Sequence, residues 1–136
     1  MAATLKLEIV TPSAKIFSED VEMVTLTGID GEMGILPEHM PLMTQIASGE
    51  IHARKDGKSI FLAVADGFVQ VTRNTVSILT DMAIKADDID EAKAEEARQK
   101  AEARLSQKLS EEETASVQAS LMHALTQLNV KRRRHY

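Results

Sequence analysis

The feature that most constrains this chain is an abrupt loss of backbone breakers: no glycine follows Gly67 and no proline follows Pro41, although the chain runs on to Tyr136. Glycine and proline mark turns and strand ends, and both disfavour helix interiors. A chain that confines them to its first half folds in two different ways along its length. The sequence therefore predicts an α+β protein, with an N-terminal antiparallel β-sandwich over residues 1–86 followed by a C-terminal α-helical hairpin over 87–136.

Up to Ala83 the apolar residues recur with period two. Leu5, Leu7 and Ile9 alternate with Lys6, Glu8 and Val10, and Val24 and Leu26 alternate with Thr25 and Thr27, the pattern of half-buried strands. Residues 51–54 lead into Asp56-Gly57, a strong hairpin dipeptide, and 60–64 return as a run apolar on both faces. Residues 68–71, the polar turn Thr72-Arg73-Asn74 and residues 76–79 form a further hairpin. Short strands punctuated in this way indicate a sandwich or flattened barrel.

Beyond Ala86, alanine, glutamate and lysine take over. Asp88 three residues before Glu91, and Ser110 three before Glu113, read as capping-box starts. They predict helices over roughly 89–106 and 111–131, joined by a short turn at 107–110. The first carries Ile89, Ala94, Ala97, Ala101 and Leu105 near one face, the second Val117, Leu121, Leu125 and Leu128. Alanine offers little area, about 0.8 kcal/mol per buried carbon against about 1.5–3 for a whole leucine, so the first helix docks weakly. Its helix propensity is nonetheless high. Such an element can leave its packing site and stay helical. With the turn also rewound, about forty residues would form a rod of roughly 60 Å. Its tip, Lys131, Arg132, Arg133 and Arg134, is basic. Those cations either complement the helix dipole or meet an acidic partner.

The segment 28–42 combines Gly28, Gly31 and Gly34 with Pro37 and Pro41, and reads as a shaped loop. It is not a phosphate loop, because Ile35 and Leu36 stand where Lys and Ser or Thr would be required, and no G-x-G-x-x-G pattern is present. His39, between the two prolines, either ties the loop together or touches a partner. Met33, Met40 and Met43 suit core filling or an adaptable contact surface. The functional reading is a protein-contact loop, with Glu32 offering charge and Met33, Met40 and Leu42 offering apolar area.

Composition narrows the function further. The absence of cysteine excludes disulfides, thiolate metal sites and thiol catalysis. A formal charge of −5 in 136 residues argues against nucleic acid as a partner. His39, His52, His123 and His135 lack metal-ligand spacing, so no metal site or cofactor is expected. Asp66 and Asp81 stand at strand ends, where turn hydrogen bonding is the common role of a carboxylate, and no catalytic constellation emerges. The long uncharged run 114–130 is interrupted by polar residues and does not read as a membrane span.

The pattern Gly28-x-x-Gly31-x-x-Gly34-x-x-Pro37-x-His39-x-Pro41-Leu42 resembles the signature of the epsilon subunit of bacterial and plastid F-type ATP synthases. The resemblance extends in one register through Leu5-Lys-Leu-Glu-Ile-Val, Ile16-Phe17-Ser18, Gly67-Phe68-Val69-Gln70-Val71 and Ile89-Asp90-Glu91-Ala92-Lys93-Ala94. It implies a non-catalytic rotor subunit of the central stalk. The sandwich would grip the gamma subunit and rest on the c ring, with Glu32 at the acidic position approaching the c-ring loops and His39 on the same surface. The helical hairpin would fold down on the sandwich or extend towards the alpha/beta catalytic head and inhibit ATP hydrolysis. Some members also bind ATP on the folded hairpin through a motif rich in arginine. Here Ile89, Asp90 and Ala94 match, but Lys93, Lys100, His123 and Gln127 replace arginines, and an ammonium does not reproduce the guanidinium fork. ATP binding is therefore not expected. A nucleotide-sensing protein with a closing hairpin is the alternative reading. With no leader before Leu5, the expected location is peripheral, on the cytoplasmic face of a bacterial inner membrane, without membrane insertion.

Overall fold

A computed structural model describes residues 3–133. Ten strands come first: β1 (Leu5–Val10), β2 (Lys15–Val21), β3 (Met23–Gly28), β4 (Gly31–Ile35), β5 (Leu42–Ile46), β6 (Gly49–Lys55), β7 (Lys58–Val64), β8 (Gly67–Val71), β9 (Thr75–Thr80) and β10 (Ala83–Lys85). A one-turn 3₁₀ helix, Ala86–Asp88, leads to α1 (Glu91–Leu105) and α2 (Glu111–Arg133). The strands pair in the order β10-β7-β6-β3-β5-β8-β9-β1-β2, with β4 paired to β3. Only the Gly28–Ile46 pair joins β3 to β5. Two layers result, β10-β7-β6-β3-β4 and β5-β8-β9-β1-β2. Their pairings are antiparallel except for β1 beside β9, which run parallel.

The alternation read from the sequence sets which side chains meet between the layers. Leu5, Leu7 and Ile9 are buried while Lys6 is exposed, and Val24 and Leu26 join them from the opposite layer. Ile35, Ile46, Ile51, Leu62, Val69, Val71, Val76 and Ile78 complete an aliphatic core. At about 1.5–3 kcal/mol per fully buried large side chain, this core dominates the stability of the molecule. Lys55 Nζ closes the seam between β6 and β2 with a 2.5 Å ion pair to Glu19.

The segment 28–42 is less of a loop than its glycines and prolines suggest. Gly31–Ile35 is strand β4, in full register with β3 from Val24–Ile35 to Gly28–Gly31. Burial of Ile35, with Met33 packed against the core, gives the segment a strand alternation, and an edge position tolerates Gly34. The true loop is 36–41.

The run 60–64, apolar on both faces, is explained by its surroundings. Leu62 and Val64 face the sandwich core, whereas Phe61 and Ala63 face a second cluster with Ile84, Ala86, Ile89 and Val130. The end of α2 covers that face. Phe61, two isoleucines, one valine and two alanines make up this contact, so the hairpin rests on a small apolar pad.

Both predicted helices form, with one shifted start. Asp88 belongs to the 3₁₀ turn, and Ile89 is extended so that its side chain reaches the second cluster. Asp90 is the cap instead, its carboxylate accepting from Lys93 N at 3.1 Å. At α2 the capping box is complete: Ser110 Oγ accepts from Glu113 N at 3.1 Å, and the Glu113 carboxylate accepts from Ser110 N at 3.4 Å. Ala94, Ala101 and Leu128 are buried, Leu105, Val117, Leu121 and Leu125 half-buried, and Ala97 lies exposed at the border of a groove between the helices.

Candidate functional site

Two surfaces carry features that a closed sandwich does not need. One is the outer face of the layer β5-β8-β9 with the adjoining loop 36–41. Val69, Val71, Val76 and Ile78 fill the inward positions of β8 and β9, so polar residues are expected on the outward ones. Phe68 and Leu79 stand there instead, opposite each other in the ladder and 52% and 57% exposed. Met43 lies on the same face of β5, 67% exposed, and Val10 pairs with Leu79 on the far side. A shallow concavity of about 460 Å³ opens between Val10, Pro12, Phe68 and Leu79, edged by Asp66 and Asp81. The helices dock on β6 and β7, so this face stays uncovered.

Loop 36–41 extends the apolar area with Leu36 and with Met40, which is 79% exposed. Its shape is held by backbone bonds. His39 N donates to Leu36 O at 3.1 Å, and Glu38 N donates to Arg73 O at 2.9 Å, which ties the loop to the β8–β9 turn. His39 Nδ1 donates to the carbonyl of its neighbour Met40 at 2.7 Å. Leu42 is partly exposed at the start of β5, and Glu32 is exposed on β4. Met33 departs from this group, because its side chain packs against the core. Sequence reasoning passed over Leu36, Phe68 and Leu79. The legible signal was a large apolar residue at a position where the alternation calls for a polar one.

The second surface is the basic C-terminal end of α2. Arg132 Nε donates to Glu91 at 2.7 Å and its Nη2 to Glu95 at 3.2 Å, and Lys131 Nζ donates to Ala86 O at 3.1 Å. Arg132 is thus engaged within the hairpin and Lys131 at its junction with the sandwich. Arg133 is exposed, and Arg134 lies outside the described residues. Arg98 and, less strongly, Arg132 hold the Glu95 carboxyl below the usual range, while Glu95 and Glu102 raise the Arg98 guanidinium. At the other end of the hairpin Arg104 meets Glu113 at 3.5 Å.

The groove between the helices, about 280 Å³, is lined by Lys93, Ala94, Ala97, Ser120, His123, Ala124 and Gln127. Among the described residues no group of three or more His, Cys, Asp or Glu could hold a metal ion. Among the described residues no helix is long and apolar enough to cross a membrane.

Residues 4–86 match the family described as ATP synthase, Delta/Epsilon chain, beta-sandwich domain, and residues 87–132 match its long alpha-helix domain. The chain belongs to the ATP synthase delta/epsilon family. Among relatives of this family, the ATP synthase epsilon chain of Herpetosiphon aurantiacus is 42% identical over 130 residues, 96% of each chain. That of Desulforamulus reducens is 41% identical over 128 residues, 94% of this chain and 97% of the relative. A chain in the cryo-EM structure of the Euglena gracilis mitochondrial ATP synthase, OSCP/F1/c-ring in rotational state 1, superposes with a TM-score of 0.71 at 27% identity. The match covers 91% of this chain and 79% of that one. The family's beta-sandwich and long alpha-helix domains thus follow one another along this chain and together cover residues 4–132.

Proposed function

We propose that this chain is a non-catalytic rotor subunit of the central stalk of a bacterial F-type ATP synthase. Residues 1–86 seat on the gamma subunit and the c ring, and residues 87–136 restrain ATP hydrolysis at the alpha/beta head. The protein then works peripherally on the cytoplasmic face of the cell membrane, held there by protein contacts.

The observation that carries this reading is the bare apolar face of Met43, Phe68 and Leu79 on an otherwise well-patterned sandwich. Such a face, edged by carboxylates, fits a partner of mixed apolar and basic character, and gamma is the partner assigned to it. Loop 36–41, with Met40 and His39, together with Glu32 on β4, forms the c-ring contact. Met33 supports the strand from below.

Mobility of the hairpin has two supports. Its apolar pad on β7 is small. The connection 106–110 contains neither glycine nor proline, none of its residues has positive φ, and Ser106 is already right-handed helical. Rewinding it into helix meets no steric obstacle. Tight nucleotide binding has less support, since the inter-helix groove offers a triphosphate one lysine and one histidine.

The docking assignment is tested with Phe68→Asp/Leu79→Asp, titrated against a gamma-containing head that lacks its own epsilon subunit. Loss of two apolar anchors at about 2 kcal/mol each weakens binding by roughly 1,000-fold. Affinity within threefold of the unsubstituted protein contradicts the assignment.

A further inference from the structure

The basic end of α2 and the start of α1 are joined more closely than packing of the hairpin requires. Arg132 reaches across to two carboxylates one helical turn apart, Glu91 and Glu95, at 2.7 and 3.2 Å. Its neighbour Lys131 covers the Ala86 carbonyl where the chain leaves the sandwich. Val130, one residue earlier, is 3% exposed and fills the pad formed by Ala63, Ala86 and Ile89. Glu95 also accepts from Arg98, which in turn holds Glu102, so the clamp belongs to a network. Networks of this kind hold more firmly than isolated surface pairs.

From this geometry we infer that Lys131 and Arg132 form a latch: they fasten the closed hairpin and, while fastened, are unable to serve as the basic tip. One pair of cations has two mutually exclusive uses. Engagement with Glu91 and Glu95 holds the end of α2 against the start of α1, engagement with the Ala86 carbonyl holds it where the chain leaves the sandwich, and any acidic partner surface must compete with those acceptors before the hairpin can open. The consequence for regulation rests on the proposed function, whereas the latch does not. Exposed ion pairs weaken with salt over a Debye length of about 8 Å at physiological ionic strength, so the latch is sensitive to ionic strength.

The chain contains no cysteine, which allows a single reporter thiol. Val130→Cys places that thiol in the buried pad, where its rate of alkylation in the full-length protein reads undocking of the α2 end. Adding Arg132→Ala, or Glu91→Gln with Glu95→Gln, accelerates alkylation by roughly three- to tenfold at low salt, and 1 M salt removes most of the difference. Combining the two changes adds little further, because both remove the same interaction. Circular dichroism checks that each variant keeps its helices. Equal alkylation rates across the set overturn the latch. The Glu91→Gln/Glu95→Gln chain, whose tip is intact, is then assayed on the catalytic head. Faster alkylation with unchanged hydrolysis supports the latch and counts against the proposed inhibitory function. Stronger inhibition with unchanged alkylation overturns the latch and leaves that function standing.

Discussion

Gly67 is where a single side-chain atom decides whether β8 and β9 can approach. A Cβ there would lie inside the contact radius of the Leu79 carbonyl oxygen, a backbone atom that cannot swing aside. Gly67→Ala is expected to lower unfolding stability by about 2–3 kcal/mol, read from the denaturant midpoint, and a change below about 0.5 contradicts the close approach. Glu38 presents the opposite case. Its φ of 66° follows Pro37 in a turn closed by the bond from His39 N to Leu36 O, the arrangement that favours glycine at the third position. Glu38→Gly removes a left-handed cost of about 1–2 kcal/mol against about 0.5–1 of added chain entropy, so stability holds or rises. Glu38→Val, β-branched in the same conformation, lowers it. Thermal melts of the pair test the turn, and equal melts for both contradict it. Neither residue's strain could be read from the sequence, because it depends on strand register and on a φ angle that no residue type specifies.

At the level of elements, the sequence was most legible where the hydrophobic period is unambiguous. The alternation at Leu5–Val10 predicted β1 and its buried face, and the apolar run 60–64 announced that β7 would be covered on both sides. β4 escaped because glycine count outweighed the alternation of Met33 and Ile35, and the start of α1 was misplaced because Asp88 carries the capping-box spacing to Glu91 while burial of extended Ile89 leaves Asp90 as the cap. The docking face escaped for a different reason. Phe68 and Leu79 are eleven residues apart and become neighbours only through the ladder. Two predictions belong at this scale. Ser110→Ala removes a complete capping box and costs the first turn of α2 about 1 kcal/mol, seen as faster amide exchange over residues 111–114, while unchanged exchange contradicts it. The second concerns acid. Hydrogen bonds from Arg98 and Arg132 depress the folded-state pKa of Glu95 below its ordinary 4.5. Its contribution to the closed hairpin is therefore complete above pH 4.5 and is lost as pH falls through the depressed value. Amide protection in α1 weakens on acidification from pH 5 towards pH 3, and protection that stays constant contradicts the ion-pair account.

The whole molecule divides its stability unevenly. A deep aliphatic core holds the sandwich, whereas a small pad of Phe61, two isoleucines, one valine and two alanines holds the hairpin to it, with an ionic fastening between its two helices. That imbalance suits a rigid seat carrying a detachable arm, and it gives each part a separate task in the proposed role. The groove between the helices belongs to this scale as well: with Lys93 and His123 facing it, calorimetric titration with ATP is expected to give a Kd of about 1 mM or weaker, about −4 kcal/mol, and a micromolar value would favour a nucleotide sensor. The most direct measurement is ATP hydrolysis by a catalytic head lacking its epsilon subunit, with added full-length chain or with a chain ending at Ala86. Both are expected to bind gamma, and only the full-length chain to suppress hydrolysis. Binding by both with suppression by neither would contradict an inhibitory hairpin, and failure of both to bind would contradict the rotor assignment itself.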